Sequence, residues 1–450
     1  MYLERNIDKE LLNWSKDPHR KPLLLRGARQ VGKTAAVREL SKQFDYFLEI
    51  NFEEQKRIHR LFEGDLSPHD LCDNLAVYYN IPVVAGKTLL FFDEIQSCIP
   101  AISSLRFFYE KFPELHLIAA GSLLEFAFEG LPSFGVGRVR SIFMYPFSFD
   151  EFLLVCGENL LLQAKKSASP EQPLQEAIHN KLLNFLRRFL VLGGMPEVIV
   201  NYVQGKNLNA CQQVLNDLIV SLKADFTKYK KRVPFSRLSE VFTSVVQQTG
   251  GKFIYAKAAT EANHKQVKEA LNLLIMAGLV IPVTHTSANG IPLGAESAEK
   301  NRKMLIFDSG IFQRILGLNI SELLFEDRFD IVNKGSIAEL YVGLEFLKSS
   351  SCYQQSELYY WHREALNSNA EVDYVIQKHE DIIPIEVKSG KKGKMQSLYL
   401  FLKEKKVPYG IRFSLENYSA YGQKRVYPLY AVSDIVPENT NQPIYKRNSF

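Results

Sequence analysis

Fourteen residues near the amino-terminal end restrict the fold more than any other feature of the chain: KPLLLRGARQVGKT, Lys21 to Thr34. A short apolar run, Leu23 to Leu25, leads into Gly27, Ala28, Arg29, Gln30, Val31, Gly32, Lys33 and Thr34, and a helix-forming segment, Ala35 to Lys42, follows. Strand, glycine-bounded loop and helix is the context a phosphate-binding loop requires. The glycines let backbone N–H groups turn inward around a phosphate, and the new helix directs its positive dipole end to the same place. Lys33 then reaches the β- and γ-phosphates of ATP, and the Thr34 hydroxyl takes one Mg²⁺ position. The stretch reads as a nucleotide site.

A chain of 450 residues is long for one core and is expected to divide into two to four domains. A formal charge of +5 permits nucleic-acid contact without arguing for it, because a mild excess usually reflects a solvated surface. Cys72, Cys98, Cys156, Cys211 and Cys352 are scattered with no CxxC pair, which suits a reducing compartment and speaks against a zinc site or a disulfide framework. The first residues carry charges throughout with no apolar signal core, and no uncharged stretch is long enough to span a bilayer. A cytoplasmic protein without a membrane segment is expected.

In chain order, Met1 to Pro18 reads as an amphipathic helix with Ile7, Leu11, Leu12 and Trp14 on one side. Tyr46 to Phe52 is a second strand, Glu53 to Tyr79 a helical region, and Thr88 to Gln96 an apolar strand that runs out into Asp93 and Glu94. Continuous apolar strands alternating with helices imply an α/β fold with a parallel sheet covered on both faces. Two acids at a strand end opposite a phosphate loop suit ATP hydrolysis: Asp93 in the Mg²⁺ shell, Glu94 orienting and polarising the attacking water. A buried strand merely ending in a polar turn is the plain alternative, and the preceding loop weakens it. Leu115 to Ser122 is a further buried strand ending in small polar residues. A loop through Gly135, Gly137, Arg138 and Arg140 then leads into a strand, Ser141 to Phe147.

The strings RKPLLLRGARQVGKT, LLFFDEIQ, AAGS, GR and PFSFDEF together resemble a prokaryotic family of AAA-type (AAA+) ATP-binding proteins, across essentially the whole chain. That family joins its P-loop NTPase core to a C-terminal domain of unknown function with a restriction-endonuclease-like, PD-(D/E)xK, fold. The resemblance implies a polar sensor at Ser122, for which a helix N-cap is the competing role. It also implies an arginine finger before the fifth strand, reaching a neighbouring subunit of a homo-oligomer. Arg138 is the first candidate and Arg140 the second. The family usually shows several serines after Gly121; here Ser122 stands alone before Leu123.

Beyond the nucleotide domain (1–150) a helical lid is expected over 151–232, with Lys165 to Gln175 as a polar connector and Gly193-Gly194-Met195-Pro196 as a helix stop. Residues 233–330 read as a winged helix: a helix from Ser236, the helix Lys265–Ala277, and a hairpin of Gly278–Thr284 with Lys303–Asp308. His264, Lys265, Gln266 and Lys268 would face DNA in a binding version, and a structural or protein-docking role stands beside it. The tip, Thr286 to Lys300, is polar with Gly and Pro and reads as a loop open to disorder.

In 331–450 a helix (Lys334–Lys348), strands at Glu357–Trp361, Glu371–Ile376 and Ile382–Lys388, and a helix from Lys394 give the PD-(D/E)xK layout. Strand alternation puts Glu386 and Lys388 on one face. Asp373 can converge with Glu386 on one divalent metal, Glu339 can complete the shell, and Lys388 would act on the water and the transition state. The resemblance points to the same four positions. A silent domain that keeps these residues while docking a partner is the alternative. The basic run Lys388 to Lys394 could touch phosphates, and Asn439 to Phe450 reads as a loose tail. The leading expectation is an Mg²⁺-dependent ATPase coupled to binding of nucleic acid, with cleavage open. The alternative is a nucleotide-dependent switch that binds a protein partner.

Overall fold

A computed structural model describes residues 1–64, 67–122, 124–128, 137–205, 207–229, 233–259, 263–318, 334–363, 370–390 and 395–436. The amino-terminal part comprises α1 (Asn6–Lys16), β1 (Leu23–Arg26), α2 (Lys33–Ser41), β2 (Tyr46–Asn51), α3 (Pro68–Tyr79), β3 (Thr88–Asp93), α4 (Ile99–Lys111), β4 (His116–Ala120), α5 (Leu124–Phe128) and β5 (Arg140–Phe143). Its strands form a parallel sheet in the order β2-β3-β4-β1-β5. Alternation along the strands divides their side chains between two cores. Leu23, Leu25, Leu89, Phe91 and Ile118 enter one, while Leu24, Leu90, Phe92, Leu117 and Ala119 enter the other. This two-faced burial explains the unbroken apolar runs. The helical region expected over Glu53–Tyr79 is two pieces, a 3-10 turn at Lys56–Phe62 and α3, whose first residue is Pro68.

Five helices follow: α6 (Phe149–Val155), α7 (Asn159–Ser167), α8 (Glu176–Leu192), α9 (Pro196–Gly205) and α10 (Leu208–Asp225). A capping box of Ser148 and Glu151 starts α6. The connector expected from Lys165 is corrected here, because α7 continues to Ser167 and the Lys165 side chain is fully buried. Its ammonium meets Asp150 at 3.0 Å and Asp434 at 2.6 Å, the second brought in from far along the chain, which composition could not reveal.

Next come α11 (Phe235–Gln248), α12 (His264–Met276), and a hairpin of β6 (Val280–Thr286) and β7 (Ser297–Ile306). The tip expected as a loose loop is ordered over 286–298. Ala288 and Leu293 are buried against Trp361, Val372, Val375 and Phe401, so two apolar residues in a polar stretch anchor it. Then follow α13 (Ser309–Ile315), α14 (Lys334–Ser349), β8 (Leu358–His362), β9 (Glu371–Lys378), β10 (Asp381–Val387), α15 (Gln396–Lys405), β11 (Gly410–Ser414), β12 (Ser419–Tyr421), β13 (Lys424–Pro428) and α16 (Val432–Ile435).

Strands β6 to β13 form one sheet in the order β12-β13-β11-β10-β9-β8-β6-β7. Parallel pairing of β6 with β8 carries the sheet across the boundary expected at residue 330. Buried polar contacts tie the carboxyl-terminal part to the rest. Glu345 on α14 accepts from the Phe149 N–H at 3.0 Å, and Asp308 accepts from the Gly194 N–H at 2.7 Å. Among the described residues no helix is long and apolar enough to cross a membrane.

Candidate nucleotide site and carboxylate cluster

Because β4 lies between β1 and β3, the ends of these three strands bring the glycine-bounded loop, Ser122 and the two acids to one edge of the sheet. The loop backbone needs its glycines. Gly27 has φ +143° and Gly32 has φ +99°, both in the range that side chains disfavour. A Cβ on Gly27 would stand 2.1 Å from the Met144 carbonyl oxygen of the chain leaving β5. Gln30, also with positive φ at 62°, takes the left-handed conformation at the exposed crest.

Lys33 opens α2 with its side chain buried, and its ammonium donates to the carbonyls of Gly27 at 2.9 Å and Ala28 at 2.7 Å. It thus closes the loop on itself. Burial pulls the Lys33 amine down to about 8, against the pull of the Glu94 and Asp93 carboxylates. Thr34 Oγ1 donates to Asp93 Oδ2 at 3.1 Å, joining the loop to the end of β3. Burial and the neighbouring Glu94 push the Asp93 carboxyl up. Glu94 sits at φ +48°, a left-handed turn just after the strand, and the Gln96 amide donates to its carboxylate. Gln96 also packs against Gly121 of the next strand end, where a Cβ would lie 2.1 Å from its Oε1.

Ser122 is buried at the end of β4 and accepts from Arg29 Nε at 3.1 Å. Arg29 itself projects from the loop into a junction. Its Nη1 donates to Asp225 at the end of α10 at 2.9 Å, and its Nη2 lies 3.5 Å from Glu53. Sequence reading placed Arg29 in the loop only as backbone; its partner lies 196 positions away in the chain, beyond any local signal. Arg5 was missed as well. Its guanidinium is buried on Glu151, reaches the Val31 carbonyl at 3.3 Å and stacks on the Phe147 ring.

Arg138 and Arg140 lie elsewhere. Parallel register pairs Arg140 with Leu23, at the start of β1 and thus at the far end of the sheet from the loop. Arg138 is exposed and pairs with Glu110 on α4, and Arg140 lies 3.6 Å from Asp17.

In the carboxyl-terminal sheet, Glu339, Asp373, Glu386 and Lys388 come from α14, β9 and the end of β10. Between them stands a residue that sequence reading had assigned to a different unit. Lys303 on β7, with its side chain fully buried, places its ammonium 2.8 Å from Glu339, 2.5 Å from Glu371 and 3.9 Å from Asp373. The Tyr360 ring lies 5.1 Å from the same ammonium. Asp373 Oδ2 accepts from the Val387 N–H at 2.7 Å, and Lys388 pairs with Glu386. Glu386 Oε2 is buried without a hydrogen-bond partner among the described residues. Burial pushes both Glu339 and Glu386 up to about 7.

Of the expected metal set of Glu339, Asp373 and Glu386, the first two lie on either side of the Lys303 ammonium. Among the described residues no three His, Cys, Asp or Glu are grouped to hold a metal ion. The signal for Glu371 was its spacing of two from Asp373 on one strand face; for Lys303 the sequence offered none. The basic run to Lys394 and the tail from Asn439 lie outside the described residues, except for 388–390.

Three family profiles match the chain: an AAA domain over residues 19–153, a domain of unknown function (DUF8612) over 183–322, and a second (DUF4143) over 334–432. No curated protein matches. Among solved structures, the chain is similar to the Orc1 protein of Aeropyrum pernix in complex with DNA. Identity is 12%, with 73% of this chain and 94% of that one covered and a TM-score of 0.27. It is also similar to a STAND signal-transduction ATPase with a tetratricopeptide repeat sensor from Pyrococcus horikoshii. There identity is 10%, coverage 77% of this chain and 47% of that one, and the TM-score 0.25. Likeness at this level transfers no function. From the profile match and the loop that lies within it, residues 19–153 are a nucleotide-binding AAA domain.

Proposed function

We propose that the chain is an ATP hydrolase whose nucleotide state is transmitted to its helical and carboxyl-terminal parts. The observation that carries this reading is Thr34 Oγ1 lying 3.1 Å from Asp93 Oδ2, next to a buried Lys33, where the ends of β1 and β3 flank that of β4. Thr34 and Asp93 suit a Mg²⁺ ion, which when bound neutralises charge developing on the phosphates. Gly27 to Thr34 hold the phosphates, and Lys33 leaves its loop carbonyls to meet them. Glu94, steadied by Gln96, orients the attacking water. Ser122 reads the γ-phosphate, and its bond to Arg29 links that reading to Asp225 on α10. Arg138, or Arg140 behind it, serves the site of a neighbouring copy in a homo-oligomer, since its own site lies at the opposite sheet end.

Two further units belong to this reading. Helices α11 and α12 with the β6–β7 hairpin carry the elements of a winged helix, and His264, Lys265, Gln266 and Lys268 are all exposed on α12. Helix α14, strands β8 to β10, helix α15 and strand β11 follow the order of a restriction-endonuclease-like core. The α12 face supports nucleic acid as the partner, held rather than cut, because Lys303 fills the carboxylate cluster. A cytoplasmic setting goes with the free cysteines.

The test measures ATP binding and turnover with and without DNA. Lys33→Ala should lose nucleotide binding. Glu94→Gln should keep binding and lose hydrolysis, as expected for a group that acts on the water. Wild-type turnover by Glu94→Gln would remove its assigned role. Turnover unmoved by DNA, together with a co-purifying protein, would move the reading to a protein-binding switch.

A further inference from the structure

We infer that the carboxylate cluster of the carboxyl-terminal sheet is built around the protein's own ammonium, Lys303, which stands where a divalent cation would otherwise bind. The argument starts from the cost of burial. An ammonium and several carboxylates taken out of water are tolerated only when they neutralise one another. Lys303 has no exposed side-chain surface and has Glu339 and Glu371 within 2.8 Å. Its contact with Asp373 is looser, at 3.9 Å, and that carboxylate is also anchored by the Val387 N–H. Lys303 is carried on β7, a strand paired along β6 with Val283 opposite it.

A divalent cation shared by Glu339 and Asp373 would have to sit within a few ångströms of this positive charge. At such a range like charges repel strongly in a medium of low dielectric. Carboxylates nonetheless reach this region from a helix and two strands, and among the described residues Glu386 Oε2 has no hydrogen-bond partner. The ammonium satisfies the charge but not every oxygen. The lysine comes from the hairpin and its partners from α14 and β9, so the same contact pins the hairpin to the carboxyl-terminal sheet.

The experiment titrates nucleotide-free full-length protein with Mn²⁺, read by electron paramagnetic resonance, in an Asp93→Asn background that silences the phosphate-loop position. The lysine-bearing protein should hold no Mn²⁺ that is lost on adding Asp373→Asn. Lys303→Met, which keeps the stem and removes the charge, should gain one Mn²⁺ bound at least tenfold more tightly. That ion should be lost again on adding Asp373→Asn or Glu339→Gln. Mn²⁺ bound by the lysine-bearing protein and lost in Asp373→Asn would overturn the inference. A folded Lys303→Met that gains no ion, or gains one indifferent to those carboxylates, would overturn it too. If Lys303→Met does not fold, the comparison between lysine-bearing protein and Asp373→Asn decides alone. The ATP site is silenced in every arm, so neither outcome depends on the hydrolase reading.

Discussion

At the scale of single residues, Lys33 gives the clearest expectation. Burial holds its amine at about 8, so near pH 9 most of it is neutral in the free protein. Bound phosphates raise that value by placing negative charge beside it. Nucleotide binding near pH 9 should therefore take up close to one proton, and the uptake should fall away towards pH 7, where the amine is already charged. Calorimetric binding enthalpies in two buffers of different ionisation enthalpy measure this directly, and equal enthalpies at pH 9 would contradict it. The places of Lys33 and Thr34 were legible in the sequence because a loop between a strand and a helix fixes its own geometry, and that of Asp93 because it ends an apolar strand. Arg29 was not legible beyond its place in the loop. Its side chain is defined by Ser122, Asp225 and Glu53, which only the folded chain assembles.

At the scale of elements, strand order decides what an arginine can reach. Strand β5 runs parallel to β1 with Arg140 beside Leu23, so the chain must travel about 13 Å along β1 to reach the loop. Arg138 precedes Arg140 and starts still farther back. Arg138→Ala should bind ATP normally and hydrolyse it about a thousandfold more slowly, the lower range for such an arginine. Mixing it with Lys33→Ala protein, which keeps its own arginine, should restore part of the turnover. Full turnover by wild-type protein shown to be monomeric during the assay would exclude action across subunits. The strands themselves were readable, since burial on both faces leaves continuous apolar runs such as Leu89 to Phe92. The hairpin was readable as a hairpin, yet its membership of a larger sheet was not. Pairing of Val283 with Leu358 spans a sequence separation that no periodicity encodes.

Across the whole molecule, the parts are joined by buried charge as much as by apolar contact. Lys165 on α7 reaches Asp150 and Asp434, and Tyr418 donates to the Lys165 carbonyl at 3.2 Å. Lys165→Met should lower stability by about 3–5 kcal/mol, because two largely buried carboxylates lose their counter-charge. Chemical denaturation followed by fluorescence reads this. A loss under ~1 kcal/mol would mean that water reaches the acids and supplies what the lysine did. The continuity of β6 with β8 has a bearing on how such a protein can be inherited. A gene fragment starting at residue 334 would encode β8 with its edge bare. It would also encode Glu339, Glu371 and Asp373 without the amine that neutralises them. Recombination that moved this sheet onto another protein would have to carry Val280 to Ile306 along with it, so the exchangeable module begins inside what reads as the preceding domain.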